Sequence, residues 1–317
     1  MISPKITILL ATYNRSHLIK ETLDSIIRQT YTNWECIIVD DNSTDATKDV
    51  VAEYTAKDDR FSYYLKTNAY KKGLSGTRNQ GLDLASLRNT EFIHFFDDDD
   101  IMHPQKLELQ MEPLLNDDSL SFTTCKYRHY YGNEELVFSL NDYDCNIEIK
   151  NNLLKDFYSG FLKLNSLGPL WKSNVILKYR FDEELVCSEE RDLYLKIFLI
   201  DKIKFKGINY ILFYYRKHDK SNTSNRYSDL QKNVSLYRSK LNFYNTIVLN
   251  NLWTPFLLKE MLKRYVLICF DANIYQELKK VIDKDEINLG YRKYLLKAVL
   301  SCFIGCRKFT GKFISKI

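Results

Sequence analysis

Four consecutive aspartates, Asp97 to Asp100, follow the apolar run Phe92-Ile93-His94-Phe95-Phe96 and stand just ahead of Pro104. The apolar run reads as a buried strand, which would deliver the carboxylates to its C-terminal end. Open α/β sheets bind ligands at that edge, and hard divalent cations take carboxylate oxygens. A cation bridging to phosphates would therefore relieve the repulsion among four acids. In extended chain Asp97 and Asp99 point to the same side. A solvated acidic loop or a helix cap has the same composition.

A second acidic segment, Val39-Asp40-Asp41-Asn42-Ser43-Thr44-Asp45, also closes an apolar run and opens a helix-period stretch. Asp, Asn, Ser and Thr are ordinary capping residues, so this segment reads first as a cap. Its functional alternative is a carboxylate brought to the same sheet edge as Asp99. At the end of the first apolar run stand Thr12, Tyr13, Asn14 and Arg15. The Tyr13 ring can stack on a nucleobase or sit on the rim, and Arg15 can face phosphate. Gly73-Leu74-Ser75-Gly76-Thr77-Arg78-Asn79 permits a close turn and can aim Arg78 at phosphate or ribose, without Walker or dinucleotide spacing. An ordinary helix entry with a surface arginine fits it equally. Ser188-Glu189-Glu190-Arg191-Asp192 reads by itself as an acidic first helical turn favoured by the helix dipole. By themselves, His218-Asp219 read as a solvated loop pair, and Trp171 as cleft lining or core.

These residues need a scaffold. Strand-like runs near 5–11, 35–39, 61–65, 91–96 and 120–126 alternate with helix-period segments, the pattern of strand-helix units in a mostly parallel sheet. Ile19, Leu23, Ile26 and Ile27 share one helical face after Ser16 as N-cap, and Ala46, Val50, Val51 and Tyr54 share another after Ser43. Further helices fit 76–87 and 104–115. Gly132-Asn133 predicts a hairpin turn between the aromatic Tyr127 to Tyr131 and the alternating 135–140, so the architecture is expected to change after the fifth strand. A helix is predicted at 189–200 and a strand at 208–216, and beyond Ser224 the pattern turns helical.

With 317 residues, 45% hydrophobic and 14% aromatic, the chain can bury a sizeable core, which excludes disorder as its main state. Lys and Arg number 46 against 41 acids, and a net charge of +5 is too small to mark a nucleic-acid partner. Seven scattered cysteines without CxxC or zinc spacing predict reduced thiols in a cytoplasmic setting. The run Ile6 to Ala11 is too short for a signal-peptide core, and no stretch reaches the roughly 18 apolar residues of a membrane span. From Tyr291 to Ile317 there are seven Lys or Arg and no acid, interleaved with Leu295, Leu296, Val299, Phe303 and Ile304. Such a stretch can lie peripherally on an anionic membrane face, or pack on the protein with its basic side in water.

Thr12-Tyr13-Asn14, Val39 to Ser43, Gly76-Thr77-Arg78-Asn79 and Phe96 to Asp100 followed by Pro104 resemble, in order, the pattern of glycosyltransferase family 2. The resemblance spans about the first 110 residues. It implies the A-type glycosyltransferase fold: an α/β architecture with a mostly parallel central sheet and flanking helices, here with a C-terminal helical appendage. The implied organisation is a catalytic domain at 1–224, with a nucleotide-binding half (1–125) and an acceptor-facing half (126–224), then a helical region at 225–317. By the same resemblance Thr12, Tyr13, Asn14 and Asp41 lie at the nucleotide, Tyr13 and Asp41 on the base. Arg78 contacts the nucleotide, and Asp97 to Asp99 hold ribose and the cation, Mn2+ or Mg2+, with Asp97 and Asp98 counted at the nucleotide and Asp99 and Asp97 at the metal. Ser188 to Lys196 is similar to the segment carrying the catalytic base, although the usual Glu-Asp is Glu-Glu here. Matching Leu193 and Lys196 puts Glu190 in the base position, one methylene longer than Asp, with Asp192 as second candidate. Tyr214 to Asp219 resembles the closing strand and loop, in which His218 approaches metal or diphosphate. The implied reaction is inverting transfer from a nucleoside-diphosphate sugar, with a UDP-sugar favoured, to a glycan or lipid-linked glycan in surface polysaccharide or glycoconjugate synthesis. Two other classes use clustered acids: metal-dependent nucleotidyl or phosphoryl transferases, and non-catalytic sugar- or calcium-binding modules.

Overall fold

A computed structural model describes residues 3–132, 135–140, 147–217 and 229–263. In chain order the elements are β1 (Ile6–Thr12), α1 (Ile19–Ile27), β2 (Trp34–Asp40), α2 (Thr47–Thr55), β3 (Phe61–Leu65), α3 (Leu74–Ser86), β4 (Phe92–Asp97), β5 (Ile101–Met102), α4 (Lys106–Asn116) and β6 (Phe122–Tyr130). They continue with α5 (Leu153–Ser159), β7 (Leu170–Lys172), α6 (Ser173–Ile176), α7 (Glu189–Ile200), β8 (Phe205–Arg216), α8 (Asp229–Leu249) and α9 (Pro255–Lys263). The chain divides into two compact units, residues 1–236 and 237–317.

One sheet of eight strands runs β3-β2-β1-β4-β7-β6-β8-β5. The first four are parallel, and β1 pairs with both β2 and β4. That reversal of strand order opens a crevice at the C-terminal ends of β1, β2 and β4, where ligands of such sheets bind. Every residue of β1 and β2 is buried, as expected of strands covered on both faces. Ile6, Ile8 and Leu10 join a core with Leu23 and Ile26 of α1, Val51 of α2 and Leu107 and Met111 of α4. Leu9 on the opposite face meets α3, where a Cβ on Gly81 would lie 3.6 Å from the Leu9 side chain. Burying one such leucine or isoleucine side chain is worth about 1.5–3 kcal/mol, so the edge residues stand on a rigid floor.

The second half departs from simple strand-helix repetition. Strand β7 runs antiparallel between β4 and β6, while β6 pairs parallel with β8. The architecture thus changes after the fourth strand. The residues 135–140 form no strand, and β6 takes β8 as its partner in place of the expected hairpin return. A two-residue strand, β5, pairs with β8 directly after the aspartates, too short to show a period. Trp171 is fully buried, its ring centroid 4.3 Å from that of Phe122, and so belongs to the core. Cys36, Cys125 and Cys187 carry free thiols. Among the described residues no helix is long and apolar enough to cross a membrane.

Neither expected serine cap is used. Helix α1 starts at Ile19 without a side-chain cap, while the backbone N–H and hydroxyl of Ser16 both donate to Asp45. Before α2 it is Asp45, not Ser43, that accepts the Thr47 N–H, at 3.0 Å. The polar residues after β1 and β2 spend their hydrogen bonds on each other's loops, which couples the two loops.

Candidate functional site

The parallel register puts Thr12 beside Asp40 and Ala11 beside Asp97, so three strands end together. Asn14 and Asn42 leave these ends with φ of 52° and 61°, left-handed values that asparagine tolerates better than most side chains. The loops are then stitched together: Asn14 donates its N–H to Ser43 Oγ at 2.8 Å, and Thr44 donates its own to Asn14 Oδ1 at 2.7 Å. Asp40 is fully buried, accepting from Ser43 N–H and from Tyr63 O–H at 2.7 Å each. Asp41 accepts from Lys66 Nζ at 3.0 Å and from Gly73 N–H at 2.7 Å, and one side of it faces a cavity.

The four aspartates divide by exposure. The Asp97 and Asp99 side chains are 24% and 16% exposed, whereas that of Asp98 is 10% exposed and Asp100 is buried. Asp98 accepts the Tyr13 N–H at 3.1 Å and lies 3.4 Å from Arg15 Nε. Asp100 accepts the Arg216 N–H at 2.6 Å, and Arg216 Nε donates to the Asp99 carbonyl at 2.8 Å. Burial, reinforced by the charge of Asp99, pushes the Asp98 and Asp100 carboxyls well above the ordinary range. Repulsion among the four is thus met within the protein by the approach of Arg15 and Arg216.

Arg78 joins the two ends of the site. It donates to Asp97 Oδ1 at 2.7 Å and to Ser166 Oγ at 2.8 Å, and Nη1 lies 3.6 Å from Glu189. Burial works against its charge, but Asp97, Glu189 and Glu190 more than offset that and hold the guanidinium ionised. Glu189 is buried at the start of α7, where burial and then the charge of Glu190 push its carboxyl up to about 7. Ser188 enters this helix at φ 62°, a conformation costly for serine that turns the acidic pair into the site. A cavity of about 470 Å³ is lined by Tyr13, Asp41, Lys72 and Gly73 together with Glu183, Glu189 and Glu190.

Asp97 and Asp99 fit a hard divalent cation: they are the outward members of the aspartate turn and offer only oxygen donors. Among the described residues no three His, Cys, Asp or Glu side chains converge as a ready-made cage.

The sequence-predicted residues fall into three groups. Tyr13, Asp41 and Glu190 line the cavity, and Asp97 and Asp99 form the outward face of the neighbouring turn. Thr12, Arg78 and Asp98 are buried, so their place is behind that surface and not on it. Asp98, in the turn just after β4, faces Tyr13 and Arg15. Asn14 shapes the loop. His218 and the basic stretch 291–317 lie outside the described residues. Sequence reasoning passed over Lys66, Lys72, Ser166 and Glu183. Only the paired Lys71-Lys72 before Gly73 carried a signal, a basic doublet entering a glycine turn.

Two glycines of α3 give a test of the loop. A Cβ on Gly76 would sit 2.1 Å from the Lys71 carbonyl oxygen, whereas one on Gly81 meets only ordinary contacts with Leu9. Gly76→Ala is expected to cost about 1–3 kcal/mol as the backbone is forced apart. Gly81→Ala should gain about 0.5–1 kcal/mol from helix entropy. Thermal unfolding reads both, and equal shifts would contradict the close approach at Gly76.

The profile of glycosyl transferase family 2 matches residues 7–184. A UDP-Glc:alpha-D-GlcNAc-diphosphoundecaprenol beta-1,3-glucosyltransferase, WfgD of Escherichia coli, is 32% identical over 72% of this chain and 83% of its own length. A GalNAc(5)-diNAcBac-PP-undecaprenol beta-1,3-glucosyltransferase of Campylobacter jejuni is 36% identical over 59% of this chain, which spans 57% of that relative. Among solved structures, S. aureus TarS 1-349 in complex with UDP-GlcNAc superposes with a TM-score of 0.56 at 20% identity, covering 89% of this chain and 72% of that one. At that identity the likeness shows the fold.

Proposed function

The chain belongs to glycosyltransferase family 2 and has the A-type glycosyltransferase fold, and from that premise we propose that it moves a sugar from a UDP-sugar to a hydroxyl of a lipid-diphosphate-linked saccharide, with inversion. Membership makes it a glycosyltransferase and sets aside the nucleotidyl-transferase and calcium-module expectations. The observation that carries the proposal is Arg78, which spans Asp97 at 2.7 Å and Glu189 at 3.6 Å and so ties the aspartate turn to the start of α7.

In this reading the Tyr13 ring stacks on the base, and Asp41, aimed by Lys66 and Gly73, accepts from its imide N–H. Asp97 and Asp99 hold Mg2+ or Mn2+, which when bound neutralises charge on the departing diphosphate. Arg15 and Arg216 brace the turn, and Arg78 keeps Asp97 in place. Glu190 takes the proton of the acceptor hydroxyl as that oxygen attacks the anomeric carbon from the face opposite the diphosphate. The choice of donor and acceptor is supported by the two bacterial relatives, whose names specify undecaprenyl-diphosphate-linked acceptors and, for one, UDP-glucose.

The test is incubation of the protein with a panel of nucleotide-sugars led by UDP-glucose, a short undecaprenyl-diphosphate saccharide and Mn2+. The expected result is UDP release matched by a β-linked product on the lipid. Release with GDP- or dTDP-sugars alone would overturn the donor, and transfer only to free saccharide or protein would overturn the acceptor.

A further inference from the structure

The cavity poses an electrostatic problem for the donor proposed above. Its walls carry Asp41, Glu183, Glu189 and Glu190, and among the described residues Lys72 is the sole cationic side chain that lines it. Yet the ligand it must admit is a nucleoside diphosphate, itself an anion. The nearby cations already have acidic partners: Arg15 lies against Asp98 and Asp99, Lys66 against Asp41, and Arg78 against Asp97 and Glu189. Lys71, next in sequence, pairs with Glu184. Lys72 differs. Its Nζ stands 5.1 Å from the centroid of the Tyr13 ring and 3.4 Å from the Tyr13 hydroxyl, both neutral groups.

The backbone on either side of Lys72 is held. Lys66 Nζ donates to the Tyr70 carbonyl at 3.0 Å, Lys71 N–H to Glu183 at 2.6 Å and Gly73 N–H to Asp41 at 2.7 Å. The side chain is exposed and long, so it can swing while its anchor stays in place. An ammonium over a half-buried aromatic face is weakly held, and a diphosphate is a far stronger partner for it.

We propose that Lys72 is a donor-binding residue that rests on Tyr13 in the free protein and transfers to the donor diphosphate when the base takes the Tyr13 ring. The inference rests on the nucleotide-sugar reading. One side chain then links occupation of the base site to charge compensation at the phosphates. A ligand with a base but no phosphate must displace the ammonium without giving it a new partner.

That asymmetry supplies the experiment. Binding of UDP and of uridine is measured by calorimetry in Mg2+ buffer for the full chain, Lys72→Ala, Lys72→Arg and Lys71→Ala. Lys72→Ala should weaken UDP about 10- to 100-fold, the scale of a charge-assisted contact. It should leave uridine unchanged or tighten it about two- to fivefold, because the ring is uncovered. Lys72→Arg should restore most of the UDP affinity, and Lys71→Ala should alter neither ligand. Equal weakening of UDP and uridine by Lys72→Ala would make Lys72 a mere shaper of the loop and overturn the proposal, as would no change in UDP. If the unaltered protein bound neither ligand, the donor reading itself would fail and this inference with it.

Discussion

Asp99→Ala is expected to lower glycosyl transfer by about 10²- to 10³-fold or more, the scale of losing a group that holds charge-stabilising machinery at a departing diphosphate. Asp99 is the cleaner of the two outward aspartates to remove. Its carboxylate lies 3.5 Å from Arg15 Nε, and Arg15 keeps Asp98 at 3.4 Å when Asp99 is gone. Removing Asp97 would instead take the strongest partner from Arg78, whose side chain is 2% exposed, and would mix folding with function. The readouts are initial rates across a Mn2+ titration together with the thermal midpoint. A near-native midpoint with a lost or strongly shifted metal response is expected. Full activity at the original Mn2+ concentration would remove Asp99 from the metal site.

Glu190→Gln should reduce kcat about 10²- to 10⁴-fold, the range for losing a general base, while UDP affinity stays within a few-fold. The substitution keeps shape and removes only the proton acceptor. Its neighbour is the control. Glu189 is buried beside Arg78 and its carboxyl is pushed up to about 7 by burial and by Glu190. Glu189→Gln should therefore act through Arg78 and Asp97, disturbing stability and donor binding more than the chemical step. Loss of kcat in Glu189→Gln with full activity in Glu190→Gln would move the base to Glu189. Glu190 lines the same cavity as Tyr13 and Asp41.

Much of the scaffold could be read from pattern. The runs ending at Thr12, Asp40 and Asp97 are apolar enough to be strands buried on both faces, and such strands pair in parallel. The helix at 189–200 is found at Glu189–Ile200, because an acidic turn followed by a sustained apolar face has few other solutions. Other features were misread for identifiable reasons. Ser16 and Ser43 have the composition of caps, yet their partners are thirty residues away or nearly so, at Asp45 and Asn14. Local propensity cannot see such a partner. Strand β5 is two residues long and exists only because β8 comes back to pair with it.

Residue types and spacing alone establish that a carboxylate turn ends a buried strand, that a tyrosine and a second acidic loop end its neighbours, and that an acidic helix start follows later in the chain. Those features depend on periodicity and side-chain chemistry, which are local. Packing alone decides which of the four aspartates face outward, since burial and the approach of Arg15 and Arg216 turn Asp98 and Asp100 inward. It likewise decides that Arg78 spans two carboxylates more than ninety residues apart in sequence and that Lys72 lies over Tyr13. Electrostatic partners at such separations are chosen by where the sheet brings the strands together, and no window along the chain contains both members of the pair.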